Sequence, residues 1–89
     1  MNLIPVATQE ECAEVIQAIS KCFRFTLNHP HPETGVTNKQ HLEVEIGQLQ
    51  CMLNLLSAQW ELDRGAIGRA YDLKLMNYNY WDKQHGVLK

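Results

Sequence analysis

Apolar positions recur with helical spacing in three stretches of the chain. In the first, Cys12, Val15, Ile16, Ile19, Cys22 and Phe23 follow the i, i+3, i+4, i+7 rule and share one face. Glu10, Glu14, Gln17 and Lys21 fall on the opposite side, with Glu11 on the flank. Thr8-Gln9-Glu10-Glu11 has the form of a capping box, so helix one is expected to start there and run to about Phe23. Met1–Ala7, with Pro5 near its middle, reads as an extended lead-in. Arg24–Val36 reads as a loop, because Pro30, Pro32 and Gly35 exclude a helix.

The second stretch, about Asn38–Trp60, is apolar on two sides. Leu42, Ile46, Leu49, Leu53, Leu56 and Trp60 form one stripe; Val44, Cys51, Leu55 and Ala58 form another, nearly opposite. Thr37 or Asn38 can cap it. A helix apolar on two sides is buried on two sides. A short three-helix chain cannot easily cover both, so one stripe is expected to pack against another subunit. Glu43, Gln50 and Asn54 form a solvated stripe. Glu45 and Gln48 project between the apolar stripes next to Met52, where a charge is costly unless compensated.

The third stretch follows a turn at Leu62–Gly65, with Asp63 as N-cap. It is expected to run from about Arg64 to Asp82, with Ile67, Ala70, Tyr71, Tyr78 and Trp81 facing inward and Lys74 on the same face. The tail, Lys83–Lys89, contains Gly86 and is expected to fray. With no strand pattern or repeat, the chain reads as one all-α domain, residues 1–89, built as antiparallel helices with short connections.

Composition narrows the class. Eighty-nine residues bury only roughly 60–65% of the unfolded surface, so a lone subunit is marginal. The net charge of −2 and the lack of a basic run argue against binding a nucleic-acid polymer. Cys12, Cys22 and Cys51 are odd in number; Cys12 and Cys51 read as small buried apolar residues, which fits a reducing cytoplasm. Neither a signal peptide nor a membrane span is visible, so a soluble cytoplasmic protein is expected.

The candidate chemistry is acidic. Glu11 and Glu14 stand i, i+3 on helix one, and Glu45 and Gln48 repeat that spacing on helix two. Facing each other across an antiparallel pair, they would place four oxygen donors around a small volume. Such a set suits Mg²⁺ or Mn²⁺. The competing reading is a solvated acidic face favoured by the helix dipole. Glu45, set between apolar stripes, is not explained that way. Lys21 and Arg24 could meet an anion or simply complement the C-terminal end of helix one. His29-Pro30-His31 with Cys22 matches no standard zinc spacing.

Gln-Glu-Glu-Cys-Ala-Glu at residues 9–14, followed after a loop by His-Leu-Glu-Val-Glu-Ile-Gly-Gln-Leu at residues 41–49, resembles the MazG-type nucleoside triphosphate pyrophosphohydrolases, particularly the short phage-type members. Their pattern is E-E-x-x-E, a loop, then E-x-x-D. Glu10, Glu11 and Glu14 match the first motif and Glu45 opens the second. Lys74 and Asn77 stand for the Lys and following Asn of the family's last helix. The resemblance spans roughly residues 9–80. It implies helical bundles built by a homodimer or a dimer of dimers. It also implies Mg²⁺-dependent conversion of a (deoxy)nucleoside triphosphate to monophosphate and pyrophosphate. Glu11, Glu14 and Glu45, with Gln48, would hold metal. Glu10 or Glu11 would orient or deprotonate water, and Lys74, Lys21 and Asn77 would meet phosphate. Lys74 can also be read as snorkelling over the Tyr71–Tyr78 surface. Two departures stand out. Gln48 replaces the motif Asp with a neutral amide, and the leading helix, often bearing Trp, that many members carry before the first motif has no counterpart in the eight or nine residues here. The alternative function is therefore a helical oligomer with weakened or lost catalysis, acting as a nucleotide-binding or structural protein.

Overall fold

The structure, a computed structural model, describes residues 2–85. It consists of three helices: α1 (Ile4–Phe25), α2 (Asn38–Gln59) and α3 (Arg64–His85). No strand is present among the described residues; a single isolated bridge joins Pro30 to Thr37.

Helix α1 starts earlier than the capping-box pattern suggests. Pro5 occupies its first turn, where a missing N–H costs nothing and the fixed φ suits a helix. Asn2 Oδ1 accepts from the Ile4 amide at 3.1 Å. The extended lead-in is therefore corrected to helix from Ile4 onward, and Thr8 is no cap. Thr8 lies inside α1, buried, with its hydroxyl donating to the Ile4 carbonyl at 2.7 Å. The α2 start follows expectation: the Thr37 hydroxyl accepts from the Gln40 amide at 3.1 Å, and the Gln40 side chain accepts from the Thr37 amide at 3.0 Å. At its end, Glu61 takes a positive φ of 49° and the Leu62 amide donates to the Ser57 carbonyl at 2.9 Å, which closes the last turn. Asp63 caps α3, accepting from the Ala66 amide at 3.1 Å. Helix α3 continues to His85 rather than stopping at Asp82, and the rest of the tail expected to fray, Gly86–Lys89, lies outside the described residues.

Helices α1 and α2 pack along a seam. On α1 it includes Ile4, Thr8, Glu11, Val15, Ala18 and Cys22; on α2, Asn38, Leu42, Glu45, Leu49, Met52, Leu56 and Gln59. The spacing alternates between four and three residues on both helices, as in coiled-coil packing. This seam is rotated from the face expected for α1. Val15 and Cys22 belong to it, but Cys12, Ile16, Ile19 and Phe23 point out, with Phe23 87% exposed. The small side chain of Ala18, only 1% exposed, supplies the contact surface instead. On α2, Leu42, Leu49 and Leu56 line the seam while Ile46, Leu53 and Trp60 lie partly exposed at its edge. Glu43, Gln50 and Asn54 are exposed, as expected. Val44, Cys51, Leu55 and Ala58 are exposed too, so Cys51 and Cys12 are not buried within the chain.

Helix α3 departs from the expected antiparallel packing. The extensive helix–helix packing is between α1 and α2. Ile67, Ala70, Tyr71, Tyr78 and Trp81 do not face inward; all are exposed. The physical reason is visible in the seam: one pair of helices is complete without α3, and the turn at Trp60–Asp63 directs it away. The chain is flat, 46 × 42 × 14 Å, with a radius of gyration of 16.3 Å against about 12 Å for a compact chain of this length. Its accessible surface is 7,321 Å², where a compact monomer of 10.3 kDa exposes about 5,400 Å². Ala18 is the sole fully buried apolar residue among those described.

Candidate metal centre

Glu11 and Glu45 sit in the α1–α2 seam, and Glu14 is one turn beyond Glu11 on its exposed side. The antiparallel pairing of the two helices brings all three together. One carboxylate oxygen from each lies within 4.8 Å of the others. Glu45 is buried, as its place between apolar stripes predicts. Its Oε1 accepts from His41 Nε2 at 3.1 Å, one turn back on α2. Its Oε2, like Oε2 of Glu11, is shut off from water with no hydrogen-bond partner.

Three clustered carboxylates with two orphaned buried oxygens are unfavourable as they stand. Glu14 registers the conflict: its carboxyl is pushed above the ordinary 4.5, first because its protonated form can donate a hydrogen bond to Glu45 and then by the charges of Glu11 and Glu45. A divalent cation would resolve both problems, satisfying the orphaned oxygens and neutralising the repulsion. The donor set is all hard oxygen, which fits Mg²⁺ or Mn²⁺.

Glu10 is not one of the residues of this group. Glu10, Lys21 and Gln48 are exposed. Lys74 and Asn77 are exposed on α3, which does not pack on the α1–α2 pair, so one chain alone does not bring them to the carboxylates. The His29, His31 and Cys22 combination is not among the groups able to hold a metal; the glutamate trio is the one such group among the described residues. His41 was missed in the sequence, although its i, i+4 relation to Glu45 was there to be read. Compared with known protein families, with curated proteins and with solved structures, the chain matches none. No described helix is long and apolar enough to cross a membrane.

Proposed function

We propose that the protein is a Mg²⁺-dependent nucleotide pyrophosphohydrolase of the MazG type, converting a (deoxy)nucleoside triphosphate to monophosphate and pyrophosphate in the cytoplasm. The observation that supports this best is the convergence of Glu11, Glu14 and Glu45 with orphaned buried oxygens. In this reading those three hold Mg²⁺ or Mn²⁺, with the Gln48 amide as a neutral neighbour. The bound ion supplies neutralisation of phosphate charge as the bond breaks. Glu10, exposed on α1 beside Glu11, orients water. Lys21 extends toward phosphate along α1.

The same reading makes the working unit an oligomer, a homodimer or a dimer of dimers. The excess of exposed surface is on the order of 2,000 Å², more than the roughly 800 Å² per partner of a standard interface. A second copy packed on the Cys12, Ile16, Ile19 and Phe23 stripe and on α3 would complete helical bundles. It would also give Lys74 and Asn77 a route to the neighbouring site.

The test is incubation with ribo- and deoxynucleoside triphosphates plus Mg²⁺ or Mn²⁺, with pyrophosphate as the readout. Release above a Glu14→Gln control is expected, and its absence overturns catalysis. A second reading, a helical oligomer that binds nucleotide without efficient turnover, is favoured by the neutral, exposed Gln48. A large rise in activity for Gln48→Asp would support that weakened site.

A further inference from the structure

The loop between α1 and α2, with the helix ends it joins, borders an open pocket of about 560 Å³, within the range of small-molecule sites. The wall is held by backbone hydrogen bonds rather than left loose. His31 N–H donates to the Val36 carbonyl at 2.8 Å, Gly35 N–H to the His31 carbonyl at 2.9 Å, and Asn38 N–H to the His29 carbonyl at 3.1 Å. The Asn38 side chain fastens the end of α1 by donating to the Thr26 carbonyl at 2.9 Å.

Lys21, Phe25, His29, His31, Asn38 and His41 are among its lining residues. Phe25 and His29 lie with ring centroids 5.9 Å apart and planes tilted by 30°, and the Arg24 guanidinium sits 5.7 Å from the Phe25 centroid, so aromatic rings border the space. Hydrogen-bonding capacity is left over around it. His31 Nδ1 accepts from the Glu33 amide at 3.1 Å, which leaves its Nε2–H as a donor. Asn38 spends its amide nitrogen on backbone carbonyls and keeps Oδ1 as an acceptor. His41 lines the cavity while its Nε2 bonds Glu45, so the cavity adjoins the carboxylate cluster. Lys21 stands two turns beyond Glu14 along α1, about 10 Å by helical rise. A ligand bridging the two places needs a polyanionic end for the cation and Lys21. Its other end must be flat, with polar edges.

We propose that this cavity binds the nucleoside part of the nucleotide, with Phe25 and His29 as the stacking surface and His31 and Asn38 as edge contacts. The inference rests on the function proposed above. It assigns specificity to the α1–α2 loop, a segment outside both acidic motifs.

The test uses the full-length protein with Mg²⁺ and compares α,β-imido analogues of the deoxynucleoside triphosphates with inorganic tripolyphosphate by calorimetry. Wild type should bind at least one nucleotide analogue more tightly than tripolyphosphate. Phe25→Ala should weaken that analogue on the order of ten- to a hundredfold and leave tripolyphosphate affinity unchanged. Ring resonances of His29 and His31 in the wild-type protein should shift with the analogue and not with tripolyphosphate, an arm that needs no variant to fold. Equal affinity for analogue and tripolyphosphate, or loss of both in Phe25→Ala with its fold intact, overturns the cavity assignment while the phosphate-binding function stands. Binding of neither probe by wild type overturns the proposed function and the cavity assignment with it.

Discussion

Glu14 is where the electrostatics of the cluster can be measured. Its folded pKa is raised above 4.5 by Glu45 and Glu11, so binding a proton there favours the folded state. That contribution is complete below about pH 4.5 and is lost as pH rises through the folded value. With divalent ions chelated, wild type should therefore lose Tm relative to Glu14→Gln between acidic and neutral pH. Adding Mg²⁺ at neutral pH should raise the Tm of wild type, since a ligand of the folded state stabilises by mass action, and should raise that of Glu14→Gln far less. An equal Mg²⁺ response in both proteins would remove Glu14 from the ion's ligands.

At the scale of elements, the seam between α1 and α2 sets the geometry of the carboxylates. Ala18 lies on α1 between Val15 and Cys22, one turn or more beyond Glu14, and its 1% exposure leaves no room for a larger side chain. Ala18→Leu should force the helices apart at a cost of about 1–3 kcal/mol. Because Glu45 reaches Glu11 and Glu14 only across that seam, the same substitution should weaken Mg²⁺ affinity, as read by the Mg²⁺-induced shift in Tm. A stable variant with unchanged Mg²⁺ response would separate the seam from the site. Helix α3 poses the opposite case. It is a well-capped helix with apolar side chains and almost nothing within its own chain to pack on.

For the whole molecule, surface is the dominant quantity. A flat chain with Phe23 87% exposed and Ile16 65% exposed buries little apolar surface to set against the entropy of ordering three long helices. Sedimentation at micromolar concentration should show a dimer or tetramer and no stable monomer. Substitution of a truly solvated residue changes stability by about 0.5 kcal/mol or less. Phe23→Asp should instead shift the sedimentation toward monomer and lower stability by more than about 2 kcal/mol. A stable wild-type monomer would overturn the oligomer.

The three helices, the Thr37 and Asp63 caps, the loop and the buried Glu45 were all legible in the chain, because helical periodicity, capping chemistry and breaker residues act over a few neighbours. The pairing of Glu11 with Glu14 and of Glu45 with Gln48 was legible for the same reason, since i, i+3 spacing is a local property of a helix. What tertiary structure decided was which face of α1 meets α2. Two overlapping stripes competed there, and the one carrying Thr8, Glu11 and Ala18 packs against α2 although the Cys12–Phe23 stripe is more apolar. Periodicity ranks faces by hydrophobicity, while close packing ranks them by fit against a particular neighbour. The His41–Glu45 pair, the loop cavity and the departure of α3 likewise depend on how distant segments meet. The sequence alone therefore determined which residues can serve the site, and the packing of α1 on α2 decided which of them converge.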